Sequence, residues 1–268
     1  MKKARVLMTA LLVAAALGAA AVPVSAKMLK TRQAPLAGGA ARLPLVIGSG
    51  FEFETDNEQT QYDYPFLVEY SFTERYKLTV EPNYVRIKSK KAGLPSAAGF
   101  GDLETSLEAE FLSERRYRPA LTALGVVKWP TAAKAALGTR GRDYTLGLIA
   151  SKELPFADFD SEVSYTASGD SREPDTIEIS LAGAKRLTRR LDLEVEALTT
   201  LGGGHLRGKP GSISGLGSQN GGAGESEFTL GLAQHLSPFL KLEEGYILKN
   251  DMSWQLAFAW EWSFSGED

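Results

Sequence analysis

Apolar and polar residues alternate with a period of two along much of this chain, and no other feature restricts its fold more. In residues 102–111, "DLETSLEAEF", leucine, threonine, alanine and phenylalanine take every second position, and the positions between them are acidic or serine. A β-strand directs alternate side chains to opposite faces, whereas a helix would scatter them around its circumference. The segment therefore predicts a strand with one apolar and one polar face.

The same alternation recurs along the chain, for example in residues 62–72, 176–185 and 191–198. Marking every such run predicts about twelve strands. The predicted strands cover residues 44–54, 62–72, 76–88, 101–112, 119–130, 143–154, 159–168, 175–187, 191–201, 226–236, 239–248 and 253–264.

The gaps between the predicted strands are alternately short and long, with one exception near the end of the chain. Tight turns are expected at residues such as 73–75, 155–158 and 188–190, and the other gaps are mostly longer, up to the Gly/Ser-rich stretch 202–224. An even number of strands puts both termini at the end with the tight turns. This is the layout of an outer-membrane barrel, which has short periplasmic turns and longer extracellular loops.

The predicted fold class is therefore all-β: a closed antiparallel transmembrane β-barrel of about twelve strands. A soluble β-sandwich and a large lipocalin-like barrel are the alternatives. Both would have to bury apolar faces so rich in Tyr, Phe and Trp that they would overfill a small soluble core. Within a bilayer an all-β protein has to close, because only helices and closed barrels satisfy every backbone group.

The first 26 residues have the features of a bacterial secretory signal peptide. Lys2, Lys3 and Arg5 precede an apolar run, and Val24-Ser25-Ala26 forms a small-residue cleavage site. The alternative is an uncleaved anchoring helix. We expect a cleaved signal peptide at 1–26, a short periplasmic segment at 27–43, a barrel in the bacterial outer membrane at 44–264, and a polar tail at 265–268.

Composition limits the chemistry that the chain can carry. It has no cysteine and only two histidines, so a disulfide framework, a thiolate nucleophile and a Cys-based metal site are excluded, and a His-rich centre is disfavoured. Neither His205 nor His235 lies near a serine in a nucleophilic motif. The glycine-rich stretch lacks the Gly-Lys-Ser/Thr ending of a phosphate loop, and no basic patch with interleaved aromatics indicates nucleic acid. We predict no enzyme, metal or cofactor.

If the apolar faces contact lipid, the alternate positions line the lumen. Acids outnumber bases there several-fold, which favours a water-filled, cation-favouring pore. The alternative is that basic residues pair with these carboxylates and fill a narrow barrel. Asp102 is expected in the lumen, together with Glu52, Glu54, Asp63, Glu69, Lys77, Glu81, Glu104, Glu108, Glu110, Lys128, Glu162, Glu178, Asp192, Glu194, Glu196, Lys241, Glu243 and Glu261. The predicted lipid-facing aromatic residues are Tyr62, Tyr64, Phe66, Tyr70, Phe72, Phe111, Trp254, Phe258, Trp260, Trp262 and Phe264.

One part of the chain resembles a known family. "GFGDLETSLEAEF" (residues 99–111), "PALTALGVVKWPT" (119–131), "YTLGLIASKEL" (144–154) and "SEVSY" (161–165) are similar to the outer-membrane proteins of the meta-pathway phenol-degradation family. A Gly-x-Gly-Asp that opens one strand and a Pro-Thr that closes the next carry most of the resemblance, which covers roughly residues 99–200. That family often reads Pro-Thr-Gly, whereas Ala132 follows Thr131 here. The resemblance implies an outer-membrane channel, with small aromatic or apolar nutrients as its solutes.

The sequence thus predicts a monomeric outer-membrane channel or transporter for small solutes. An outer-membrane lipid-modifying enzyme and a structural or adhesive barrel with a filled lumen are the alternatives. The expected partners are outer-membrane lipid, a small-molecule solute and the outer-membrane assembly machinery. The last of these is expected because the final strand, with alternating aromatics up to Phe264, resembles the segment that this machinery reads in bacterial barrels.

Overall fold

The computed structural model describes residues 45–55, 59–90, 96–170, 173–202, 225–237, 240–249 and 254–264. These residues form fourteen β-strands joined by turns and loops. In chain order the strands are β1 (Leu45–Thr55), β2 (Gln59–Thr73), β3 (Tyr76–Glu81), β4 (Asn83–Ser89), β5 (Ala97–Phe100), β6 (Leu103–Leu112), β7 (Ala120–Trp129), β8 (Asp143–Leu154), β9 (Ala157–Ala167), β10 (Thr176–Thr188), β11 (Leu191–Gly202), β12 (Glu225–Ser237), β13 (Leu240–Lys249) and β14 (Trp254–Phe264).

Each position in the barrel wall, here called a stave, is filled by one strand, except that β3 and β4 together form one stave and β5 and β6 together form another. The fourteen strands therefore make a barrel of twelve staves. Pro82 separates β3 from β4, and both pair with β2. Proline has no N–H to donate to the ladder, and here its carbonyl accepts a hydrogen bond from Phe66 N–H at 2.9 Å. Gly101 and Asp102 separate β5 from β6 in the next stave. The sequence predicted twelve uninterrupted strands and placed residues 97–100 in a loop, whereas they form β5.

The barrel closes through its first and last strands. β1 pairs antiparallel with β14 from Leu45 opposite Phe264 to Thr55 opposite Trp254, and its other edge pairs with β2. Every other stave is antiparallel to the next one along the chain. The predicted fold class, a closed all-β antiparallel barrel of about twelve strands, is confirmed.

Burial in this barrel is the reverse of that in a water-soluble protein. Glu52 and Asp63 are only 4% and 3% exposed, whereas Leu146 is 72% and Phe111 is 59% exposed. From residue 63 to residue 70 of β2 the pattern alternates strictly, with Asp63 buried and Tyr64 exposed. A wall that is apolar outside and polar inside fits a lipid environment around it and an aqueous or polar interior.

The outward aromatic rings contact one another near both ends of the wall. Phe53 and Tyr62 have ring centroids 5.5 Å apart near the end with the longer loops. Tyr70 and Phe72 are 5.0 Å apart near the end with the tight turns. Amphipathic rings of this kind settle at membrane–water interfaces, so the two groups of rings are consistent with the edges of an apolar belt.

The two ends of the barrel differ in most of their connections. The turn end carries the two-residue connections 74–75, 155–156 and 189–190 as well as the longer 113–119, and the loop end carries the longest described connection, 130–142. No helix in the described ranges is long and apolar enough to span a membrane. The predicted signal peptide, the segment 27–43, the tail 265–268 and the loop residues 203–224 lie outside the described residues.

We expect the two faces of β8 to respond oppositely to a positive charge. Leu148 is exposed on the outer face, and the neighbouring Ile149 lies opposite Thr122 and Glu162 on the inner face. Leu148→Arg should destabilise the folded barrel by about 2–4 kcal/mol, the usual cost of arginine on the lipid face near the bilayer midplane. Urea unfolding in lipid vesicles measures this cost.

Ile149→Arg is the matched control, because it adds the same side chain one residue along and places it near a carboxylate. It should fold with a much smaller loss of stability. Equal losses for the two variants would contradict the assignment of the faces.

Candidate functional site

The candidate site is the inner face of the barrel, where ladder pairing brings acidic residues from distant parts of the chain together. One row of cross-strand neighbours runs from Glu153 and Asp158 through Glu194 to Glu52 and Asp63, with alanine and glycine between. Residues that face each other across paired strands point to the same side of a sheet. The row therefore places carboxylates from β1, β2, β8, β9 and β11 around the interior.

The structure places the sequence-predicted lining residues at inward register positions, except Asp102, which lies between β5 and β6 and has no partner in the ladder. It also adds Asp143, Glu153, Asp158, Asp160 and Glu227, which the sequence reasoning missed. The period of two could have found Asp158 and Asp160, since they share the parity of Glu162.

Most of the aromatic residues that the sequence predicts to face lipid lie on the outer face of the barrel. Tyr64, Phe66, Tyr70, Phe72, Phe111, Phe258, Trp260, Trp262 and Phe264 are exposed on the outer face, and Tyr62 is half-buried against Phe53. Trp254 lies opposite Thr55 in the ladder, and its side chain is not among those described.

Lys77 is the most enclosed base of the interior. Its Nζ lies 2.8 Å from Glu108 Oε1 on β6 and 3.2 Å from Glu69 Oε2 on β2. The Glu69 side chain is only 5% exposed, so its charge has little access to water. One ammonium thus forms ion pairs with carboxylates on the two strands that flank β3. These ion pairs offset part of the desolvation free energy that burying the carboxylates costs.

Three other inward bases in the described part of the chain also pair with acids. Lys128 Nζ lies 3.7 Å from Asp143 Oδ2, and Lys241 forms an ion pair with Glu243. Arg186 Nε lies 3.4 Å from Asp192 Oδ1 at the turn end. Among the described residues, acids at inward positions outnumber these bases several-fold.

His235 is the one histidine among the described residues, and its Nε2 lies 2.9 Å from Asp192 Oδ2. A histidine and a carboxylate are also the orienting half of a hydrolase triad, which needs a serine on the other ring nitrogen. Within the described residues no serine hydroxyl contacts His235, and no group of three or more His, Cys, Asp or Glu is arranged to hold a metal. His205 lies outside the described residues.

Asp102 has a different role from the one that its position in the sequence suggests. Its Oδ1 accepts the Ala132 N–H at 3.0 Å, and its Oδ2 accepts the Thr139 hydroxyl at 2.9 Å as well as the Thr139 N–H. These partners belong to the β7–β8 loop, residues 130–142. The carboxylate thus binds a loop, and its described hydrogen-bond partners all belong to that loop.

Two further contacts fasten the same loop to the wall. Thr131 Oγ1 accepts the Leu103 N–H at 2.8 Å, and Lys134 Nζ donates to the Ala98 carbonyl at 3.0 Å. Leu137 is buried in an apolar cluster with side chains from the inner faces of β4 and β5. The members of this cluster are Val85, Ile87, Ala97 and Leu137, with Ala132 and Ala136 packed against it.

The next loop, residues 168–175, is held by the same kind of contact. Asp143 Oδ1 accepts the Gly169 N–H at 3.0 Å. The Tyr165 hydroxyl donates to Asp175 Oδ2 at 2.6 Å, and the Ser168 N–H donates to Oδ1 at 3.0 Å. The hydrogen bond from Tyr165 and then that from Ser168 lower the pKa of Asp175 below its usual value.

Comparisons with known proteins agree with this architecture. An outer membrane channel from Pseudomonas putida F1 superposes with a TM-score of 0.65 at 14% identity, covering 87% of this chain and 100% of that one. The NanC porin gives a TM-score of 0.59 at 9% identity, covering 82% and 100%, and the KdgM porin gives 0.52 at 8%, covering 81% and 99%. At these identities the likeness shows the fold, which is that of outer-membrane β-barrels. No family model and no curated protein matches the chain.

We expect Lys77 to stabilise the barrel through its two carboxylate partners. Lys77→Met removes an ammonium that Glu69 and Glu108 share, which should cost about 3–5 kcal/mol, the usual penalty for breaking a buried ion pair by removing one partner. Urea unfolding in vesicles measures the loss.

The exposed Lys185 on the outer face serves as the control, and Lys185→Met should change stability by only about 0.5 kcal/mol. Adding Glu69→Gln and Glu108→Gln to Lys77→Met should restore part of the stability. A loss no larger than that of the Lys185 variant would contradict the proposed role of Lys77.

We expect the contact between Tyr165 and Asp175 to depend on pH in one direction. Because the folded-state pKa of Asp175 is lowered, the contact stabilises the loop above the unfolded-state pKa, and this contribution is lost as the pH falls through the lowered value. Tyr165→Phe should raise the pKa of Asp175 toward its usual value. A carboxyl NMR titration of Asp175 tests this, with Asp175→Asn to assign the signal, and an unshifted titration would contradict it.

Proposed function

We propose that this protein is an outer-membrane channel that passes small solutes through a narrow, acidic interior. The observation that carries the proposal is the excess of acidic over basic residues at the inward positions of a closed barrel whose outer face is apolar. Rings of carboxylates attract cations and repel anions. The outer-membrane location follows from the same surface pattern, since such a wall requires lipid around it.

The size of the barrel supports the proposal that the solutes are small. Twelve staves enclose less space than the sixteen to eighteen of the large porins, which leave a wide aqueous channel. The near-complete burial of Glu52, Asp63, Glu69 and Glu243 indicates that little room remains around these inward carboxylates. The structural neighbours are an outer membrane channel and two porins, and their fold fits a role in solute passage.

The class of solute follows from two separate considerations. The acidic interior favours cations and neutral molecules over anions. The resemblance to the phenol-degradation family adds small aromatic or apolar nutrients as the neutral candidates. We propose that the barrel works as a monomer, without catalysis, after export by the predicted signal peptide and insertion by the outer-membrane assembly machinery.

Conductance in planar bilayers tests the proposal. With a KCl gradient across the bilayer, the reversal potential should show a preference for potassium. The preference should be stronger at 0.1 M than at 1 M salt, because the Debye length falls from about 10 Å to about 3 Å. A barrel that is silent, or that prefers chloride, would contradict the proposal.

We expect the inward acids to set this preference. Glu194→Gln and Glu196→Gln together remove two carboxylates from one stave, and the reversal potential should move toward zero. The matched control is Glu244→Gln, which removes a carboxylate from the exposed outer face of β13 and should leave the reversal potential unchanged. Heat-modifiable migration on a detergent gel shows whether each variant has folded.

A further inference from the structure

The β7–β8 loop lies against the inner wall instead of extending outward from the loop end. Val85, Ile87 and Ala97 occupy inward positions on β4 and β5, and Leu137 of the loop covers them. The loop starts from β7, so it crosses the stave formed by β5 and β6 to reach β4. A layer of chain on the inner face takes space from the lumen at this level.

The wall beneath the loop is shaped to receive it. Gly99 has a φ of 154°, a conformation that favours glycine. A Cβ on Gly99 would lie 3.2 Å from Leu137 Cδ1, and one on Gly101 would lie 3.1 Å from the Leu137 carbonyl oxygen. The two glycines therefore let the Leu137 segment approach the backbone of β5 and the start of β6 closely.

The loop has a matching glycine where it meets Asp102. A Cβ on Gly138 would overlap both Asp102 Oδ1 and the Ala132 side chain. The fit requires glycine on the loop, a carboxylate on the wall and small residues between them. Hydrogen bonds from neutral N–H and O–H groups to a carboxylate are roughly twice as strong as neutral pairs, so Asp102 is the main polar attachment.

We propose that the β7–β8 loop is the element that limits the size of solutes at the loop end, and that Asp102 is the positioning residue that holds it there. The proposal rests on the proposed channel function. Under this proposal Asp102 holds the loop against the wall by hydrogen bonds. The other inward acids attract or repel a passing solute according to its charge. The loop gives this level of the lumen a narrow, partly apolar wall.

Two variants release the loop in different ways. Asp102→Ala removes the hydrogen-bond acceptor together with one negative charge. Gly138→Ala leaves every charge in place and pushes the loop away from Asp102 by steric overlap. Gly125→Ala is the control, because a Cβ on Gly125 of β7 would meet nothing within 4 Å.

Loop position is measured independently of conductance with a single cysteine. The chain has no natural cysteine, and Ala97 is buried beneath Leu137, so Ala97→Cys should react slowly with a water-soluble thiol reagent. Adding Asp102→Ala or Gly138→Ala should raise the labelling rate about tenfold or more, since losing charge-assisted hydrogen bonds shifts an opening equilibrium by that much. Unchanged labelling in both variants would overturn the proposed attachment.

Single-channel recording then tests the effect on passage. Both releasing variants should raise the unitary conductance and the open-channel current noise, and Gly125→Ala should change neither. Faster labelling with unchanged conductance in a conducting barrel would show that the narrow part lies elsewhere, and would overturn the proposal. A rise in Asp102→Ala alone would assign the effect to charge and would overturn it as well.

The proposed channel function can fail separately. A folded wild-type barrel that is silent, and that stays silent when labelling shows the loop released, would overturn the channel and the size limit together. A silent wild type that conducts once either variant releases the loop would contradict an open channel in the wild type and would support the loop as the barrier.

Discussion

The pairing of β1 with β14 is the contact on which the rest of this structure depends. A backbone N–H or C=O that faces hydrocarbon without a partner costs several kcal/mol, so an open sheet edge cannot persist in a bilayer. The eleven consecutive residue pairs of this seam remove both edges. Closure also separates an inside from an outside, and the period of two then decides which side chains meet lipid and which meet each other.

Closure makes the interior a place where carboxylates are concentrated and have to be accommodated. Some inward carboxylates form ion pairs: the Lys77 ammonium pairs with one carboxylate on β2 and one on β6. Asp143 accepts an N–H from the loop 168–175 and also faces Lys128. The described partners of Asp102 are all loop groups. Asp102 and Asp143, two acids at the loop end, therefore hold loop residues against the wall.

The sequence predicted the strands and the fold class because both depend on a local pattern. Alternation within one strand is enough to assign the faces of Asp63 and Tyr64. The interruption at Pro82 was not predicted, because the alternation resumes on both sides of it. The position of the β7–β8 loop was also missed. It depends on Leu137 meeting Val85, which lies far away in sequence, and no local pattern encodes that contact.

The contacts of the loop also explain what the residues that carry the family resemblance do in this structure. In the Gly-x-Gly-Asp segment, Gly99 and Gly101 make room for Leu137 and Asp102 binds the loop, while Thr131 of the Pro-Thr pair accepts the Leu103 N–H. The departure at Ala132 fits the same arrangement. Its N–H still donates to Asp102, its methyl group packs against the apolar cluster, and Gly138 supplies the space that this methyl group needs. The motif thus works as a unit for holding a loop inside a barrel, and a chain can carry it without sharing the solute of the family that it resembles.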